Sequence, residues 1–342
     1  MRYFSLGKTD LTVSEFGFGC ISIIPLSQVD ALKVLRHAFD RGITFFDTAN
    51  AYRDSEEKIG IAFTGMRHKV VLATKTLMRG AEVATGHLEK SLRMLRTDHL
   101  DLYQLNQISQ EKDWHEVMRP AGALEGVMKA KSAGKVRYVG VTSHNLQMSL
   151  AMVRSGLFDS IQFPFNFIEE GAKNELLGAC REMGMGFIGI KPLGGGVIDN
   201  AAVAFKYLRD HPDVIPIPGF VSCEQVDEII SCYAEANVIT EQDHKIMETY
   251  RHVWGKRLCR RCESCQPCPQ GVMITPAMGY PIVASQISPS LAVESCKNAM
   301  ESVLLCSGCG TCSERCPYEL QVSDILNSNY ALYEKHLKEK HI

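Results

Sequence analysis

Through the first 255 positions, short apolar runs alternate with segments whose apolar residues recur every three or four positions. The runs at 16–20, 44–47, 70–74, 100–105, 138–142, 160–163, 186–190 and 214–216 predict strands. Between them lie helical periodicities, such as Ala31, Leu32, Leu35, Ala38 and Phe39, or Leu88, Leu92 and Leu95. Eight alternations in about 250 residues match the length of a (β/α)8 barrel. A doubly wound open sheet alternates in the same way, but it carries a Gly-rich phosphate fingerprint after its first strand. Here Gly17-Phe18-Gly19-Cys20 does not continue as one, and Gly194-Gly195-Gly196 stands alone. The pattern therefore predicts an α/β chain with a TIM barrel over 1–255, followed by a small domain over 256–342. The tail at 322–342 reads as a helix, with Ile325, Leu332, Tyr333 and Leu337 at helical spacing.

Composition changes this picture only after Leu258. The 342 residues are 45% apolar and 22% charged, with a net charge of −2. Those values suit a globular protein and argue against broad nucleic-acid or membrane-surface binding, which needs a basic excess. No apolar stretch reaches the length of a membrane span, and the N-terminus lacks a signal-peptide pattern, so a cytoplasmic protein is expected.

Of thirteen cysteines, Cys20, Cys180, Cys223, Cys232 and Cys296 are scattered and read as small hydrophobes in or near the core. The others form two groups: Cys259, Cys262, Cys265 and Cys268 before Pro269, and Cys306, Cys309, Cys312 and Cys316 before Pro317. The second is the C-x2-C-x2-C-x3-C-P run in which three thiolates hold one 4Fe–4S cubane and the fourth holds its neighbour. The first group has two residues, not three, before its last cysteine. Crossed ligation assigns Cys259, Cys262, Cys265 and Cys316 to one cluster, and Cys306, Cys309, Cys312 and Cys268 to the other. Two four-cysteine zinc sites are the alternative, but these usually use two pairs separated by a loop. Reducing compartments disfavour disulfides. The segment between the groups is expected to wrap the clusters.

In a barrel, chemistry gathers where strands end. The second predicted strand runs into Asp47-Thr48-Ala49-Asn50-Ala51-Tyr52, the third into Lys75, the fourth into Asn106, and the fifth into Thr142-Ser143-His144-Asn145. A lysine facing a tyrosine lowers the phenol's pKa, and an aspartate keeps that lysine charged and oriented. Such a tyrosine can give a proton to a carbonyl oxygen as hydride reaches the carbon. Singly, each residue has a plainer role as a cap or a solvated strand end; it is the combination on successive strands that points to chemistry. His87, His115 and His144 are isolated and read as solvated or cofactor-side groups rather than metal ligands.

The segment Gly42-Ile43-Thr44-Phe45-Phe46-Asp47-Thr48-Ala49-Asn50-Ala51-Tyr52 resembles the hallmark of the aldo-keto reductases, and the likeness runs from Arg2-Tyr3 to about Glu228. The cysteine groups resemble the ferredoxin-like extension of a bacterial and archaeal branch of that family. The resemblance implies NAD(P)H-dependent interconversion of a carbonyl and an alcohol. It makes Tyr52 the proton donor, with Asp47 and Lys75 tuning it. It gives Ser143, Asn145 and Gln162 to the nicotinamide carboxamide, and Gly219, Gln225 and Glu228 to the adenosine side.

Three positions depart from the family pattern. Asn106 stands where most members have His, as it does in potassium-channel beta subunits; an amide can donate a hydrogen bond but cannot relay a proton. The ring that usually stacks on the nicotinamide is replaced by Ile190-Lys191-Pro192-Leu193-Gly194. Phe220, Val221 and Ser222 follow Pro218-Gly219, where binders of the 2′-phosphate place Lys or Arg.

The expected activity is thus an oxidoreductase with two 4Fe–4S clusters for electron transfer, fed by a ferredoxin or another carrier. A ferredoxin-fed reductase without nicotinamide, and a redox or oxygen sensor with a feeble barrel, are the alternatives. No flavin-binding signature is visible.

Overall fold

A computed structural model describes residues 1–234 and 236–340. The chain divides into two compact units: Met1–Leu193 with Asn200–Ile239, and Gly194–Asp199 with Thr240–Ile342.

The first unit opens with an antiparallel hairpin, β1 (Tyr3–Ser5) and β2 (Thr12–Ser14). Eight parallel strands then pair in chain order: β3 (Phe18–Gly19), β4 (Phe45–Asp47), β5 (Val71–Thr76), β6 (Leu100–Leu105), β7 (Val136–Thr142), β8 (Ser160–Pro164), β9 (Gly186–Ile190) and β10 (Val214–Pro216). The sheet curls shut: Gly17 and Gly19 donate their N–H groups to the carbonyls of Pro216 and Pro218 at 2.9 and 2.7 Å. This is the expected (β/α)8 barrel. Three strands extend past their predicted limits, β8 by one residue to Pro164. β5 continues through Thr76, so Lys75 is held inside a strand, and β7 begins two residues earlier, at Val136.

The helices follow the apolar periodicity. Helix Gln28–Asp40 buries Ala31, Val34, Leu35 and Ala38, and the Ser27 hydroxyl caps it by accepting from the Asp30 N–H. Helix Ala81–Met94 buries Ala84, Leu88, Ser91 and Leu92.

The hairpin is an element the apolar pattern did not show, because three-residue strands are too short to display an alternation. It contributes Leu6, Leu11 and Val13 to one apolar layer with Phe45, Ala73, Leu102, Ile188, Ile215 and Ile217. Gly7 makes that seat possible. Its φ is +59°, and a Cβ there would stand 2.3 Å from the Gly186 nitrogen.

The second unit is helical. Glu241–Trp254 begins at a Thr240/Asp243 capping box and belongs to this unit, so the contact boundary falls at 239–240 rather than 255. Helices Ile274–Met278, Tyr280–Ile287, Pro289–Ser295 and Lys297–Ser302 occupy the segment between the cysteine groups, and Val322–Lys340 forms the expected terminal helix. Residues 341–342 of the predicted tail lie outside the described residues. The unit has its own apolar core, which includes Ile274, Tyr280, Met300, Leu326 and Tyr333. Buried Asn329 ties the terminal helix to this core by donating to the carbonyls of Ala277 and Met278 at 3.0 and 3.3 Å. Among the described residues, no helix is long and apolar enough to cross a membrane.

Candidate functional site

Asp47 and Lys75 meet inside the barrel as a buried ion pair, each side chain 3% exposed. Lys75 Nζ also donates to the Thr48 carbonyl at 2.7 Å, and the second Asp47 oxygen accepts from Gln104 Nε2 at 2.9 Å. Burial alone would strip the Lys75 charge. The Asp47 carboxylate, with a smaller contribution from Tyr52, outweighs it and holds the ammonium above its ordinary pKa. Lys75 Nζ lies 5.3 Å from the centroid of the Tyr52 ring. The three residues expected at separate strand ends are therefore one constellation.

Gln104 completes that constellation, and sequence reasoning missed it. Its only signal was a polar residue in the otherwise apolar end of Leu100–Leu105, every residue of which is buried. Gly140, on the neighbouring strand, makes room for it: a Cβ there would stand 2.9 Å from Gln104 Cγ and 2.6 Å from Ser160 Oγ. Cys20 is fully buried beside the pair. Burial first, and then the Asp47 carboxylate, push its thiol well above the usual range, so it is an inert filler.

One layer further along the strands, Asn106 Oδ1 accepts from the Thr142 hydroxyl at 2.7 Å. Ser143 is fully buried and accepts from the Asn145 N–H at 3.0 Å. Asn145 itself is a helix cap: its Oδ1 accepts from Gln147 and Met148 N–H at the start of Leu146–Arg154. Its carbonyl oxygen is thus committed locally, as Asn at a helix start favours. Gln162 is 1% exposed, and its Nε2 has no hydrogen-bond partner. A buried amide donor without an acceptor is costly. It suits a ligand carbonyl such as the carboxamide of a nicotinamide.

The adenosine-side candidates sit where β10 runs into helix Cys223–Ala234. Gly219 packs against Ser22, whose Cβ would be 2.8 Å from an added methyl, and the Ser22 hydroxyl donates to the Phe220 carbonyl at 2.8 Å. Gln225 Oε1 accepts from the Val221 N–H at 2.9 Å, shaping this loop, while Glu228 is exposed.

In the second unit, two cavities open among the cysteines. One is lined by Cys259, Cys262, Cys265 and Cys316; the other by Cys265, Cys268, Cys306, Cys309 and Cys312. Cys265 is thus common to both cavities. Thr275, in the lining of the cavity of Cys259, Cys262, Cys265 and Cys316, places its buried hydroxyl beside Cys265. Among the described residues, no group of three or more His, Cys, Asp or Glu is gathered closely enough for a single metal ion.

The two loops share one backbone pattern. Arg261 and Glu263 have φ of 60° and 63°, and Gly308 and Gly310, at the matching places two and four residues after the first cysteine, have 71° and 77°. Left-handed backbone turns the first loop enough for the Arg261 N–H to donate to Cys259 Sγ at 3.4 Å. An L-residue there is strained by about 1–2 kcal/mol relative to glycine. Arg261→Gly and Glu263→Gly are each expected to stabilise the second unit, by up to about 1 kcal/mol after the entropy glycine adds to the unfolded chain. A denaturation midpoint that falls in both variants would contradict this.

Comparison with known proteins places this geometry. The aldo/keto reductase family model matches residues 15–201, more than half of the chain. An uncharacterised oxidoreductase of Bacillus subtilis, YrpG, is 32% identical over 233 residues, covering 59% of this chain and 70% of the relative. The aldo-keto reductase yakc [NADP(+)] of Schizosaccharomyces pombe is 30% identical over 225 residues, covering 59% and 64%. Among solved structures, the holo form of aldo-keto reductase AKR11C1 from Bacillus halodurans superposes with a TM-score of 0.64 at 22% identity, covering 73% of this chain and 96% of that one. That likeness is one of fold. On the family match, with the barrel it predicts present strand by strand, the chain belongs to the aldo/keto reductase family.

Proposed function

We propose that the barrel interconverts a carbonyl and an alcohol by hydride transfer with NAD(P)H, and that the second unit carries two 4Fe–4S clusters for single-electron transfer. The observation that carries the first half is Lys75, buried yet held charged by Asp47, 5.3 Å from the Tyr52 ring. Bound NAD(P)H supplies the hydride. Tyr52 gives its phenolic proton to the carbonyl oxygen as that oxygen takes the π-electron pair, and Lys75 stabilises the phenolate left behind. Asn106 donates an amide hydrogen bond to the same oxygen and moves no proton. Tyr52 regains its proton from solvent.

Gln162, with its unpartnered Nε2, and buried Ser143 would hold the nicotinamide carboxamide. Gly219 and Gln225 would shape the loop on the adenosine side, and Glu228 would face the ribose from helix Cys223–Ala234. The relative yakc carries NADP+ in its name, which favours the same cofactor class.

Bound clusters supply one-electron transfer. Cys259, Cys262, Cys265 and Cys316 would hold one, and Cys268, Cys306, Cys309 and Cys312 the other. A soluble one-electron carrier such as a ferredoxin is the corresponding partner.

Protein purified without oxygen is expected to contain about eight iron and eight sulfide per chain. It is expected to oxidise NADH or NADPH in step with the loss of an aldehyde or ketone from a substrate panel. Turnover that requires reduced ferredoxin and ignores both nicotinamides would sink the hydride reading. Tight cofactor binding without turnover of any carbonyl would point to a sensor.

A further inference from the structure

The amide of Asn106 has two nearly isosteric ends with opposite chemistry: Nδ2 donates to a carbonyl oxygen, and Oδ1 repels it. An amide turned over offers an acceptor where the donor was. A barrel that uses Asn here needs something to choose the end.

Thr142 is placed to choose. It is 1% exposed and stands beside Asn106 on the next strand, since β6 and β7 pair Leu105 with Val141. Its hydroxyl accepts from the Gln107 N–H at 2.8 Å and donates to Asn106 Oδ1 at 2.7 Å. With the amide turned over, that buried hydroxyl proton would lose its acceptor.

The backbone under Asn106 is held as well. Arg79 donates to the Asn106 and Gln107 carbonyls at 2.8 and 2.9 Å and is itself anchored by Asp113 at 3.2 Å. This clamp keeps Gln107 at a left-handed φ of 57°, which aims its N–H at Thr142. Asn106 Nδ2 has no partner among the described residues, so the donor is left for a ligand.

We propose that Thr142 is a positioning residue: its hydroxyl fixes the Asn106 amide so that Nδ2, not Oδ1, meets the substrate carbonyl. This inference rests on the carbonyl-reducing reading of the barrel. Thr142→Val keeps the shape of the side chain and removes the hydroxyl. It is expected to lower kcat about 10- to 100-fold, the range of a disturbed oxyanion donor, with the Kd for NAD(P)H unchanged. Thr142→Ser keeps the hydroxyl and is expected to restore kcat to within about threefold of the parent, allowing only for a lost methyl contact.

In an Asn106→Ala background, Thr142→Val is expected to cost nothing more, because there is no amide left to orient. An equal loss in that background, or no rescue by Ser, would make Thr142 merely structural and overturn the proposal.

Neutron diffraction on the deuterated protein reads the amide directly. Nδ2 deuterons turned away from Thr142 in the parent, and mixed orientations in Thr142→Val, support the assignment; deuterons facing Thr142 in the parent overturn it. This readout holds even if the parent reduces no carbonyl, an outcome that would defeat the reductase reading alone.

Discussion

Tyr52→Phe is expected to lower kcat for carbonyl reduction by about 10²–10⁴-fold, the usual worth of a positioned proton donor. Iron content and the Kd for NAD(P)H should not change. The substitution isolates chemistry because phenylalanine keeps the ring that faces Lys75 and removes only the phenolic hydroxyl. Asn106 cannot take over, since an amide donates a hydrogen bond but has no proton to lose at neutral pH.

Removing Lys75 instead would be harder to interpret. The Asp47 carboxylate is 3% exposed, and with its cation gone it would be left in the barrel with Gln104 as its remaining side-chain donor. Stranded buried charges destabilise by about 3–5 kcal/mol, so lost activity would be mixed with lost fold. Lys75 is held above its ordinary pKa and stays charged through the neutral range. A basic limb in the kcat profile that vanishes in Tyr52→Phe would therefore belong to the tyrosine. Activity within a few-fold of the parent would remove Tyr52 from the mechanism.

The barrel was legible because each of its strands is a compact apolar run, and burial on both faces requires that. Asp47, Tyr52 and Lys75 were legible for the opposite reason, as ionisable groups interrupting those runs at their ends. What stayed hidden depends on neighbours far apart in sequence. Gln104 reads as one polar letter in a strand, and its role exists only because Gly140 leaves room for it to reach Asp47. Thr142 reads as an ordinary β-branched strand residue until Asn106 is beside it. Asn145 shows the converse: the family resemblance implied a cofactor contact, while the local preference of Asn for a helix start commits its side-chain oxygen to Gln147 and Met148. In the cysteine loops, Gly308 and Gly310 announce left-handed backbone. Arg261 and Glu263 take the same conformation without any compositional sign.

Cys268→Ala is expected to remove about four irons per chain, and to remove them from the cluster held by the other cysteine group. Cys268 belongs by sequence with Cys259, Cys262 and Cys265, yet it lines the cavity of Cys306, Cys309 and Cys312, while Cys316 lines that of the first group. Pairing substitutions turns this geometry into a count. If ligation is crossed, Cys268→Ala with Cys306→Ala damages one cluster twice, and about four irons remain. Cys268→Ala with Cys259→Ala damages both, and essentially none remain. Ligation confined to each sequence group predicts the reverse. The unit should survive the loss of one cluster because Tyr280, Met300 and Leu326 belong to an apolar core of its own. Iron retained by the Cys268/Cys259 double variant and lost from the Cys268/Cys306 variant would reject the crossed arrangement.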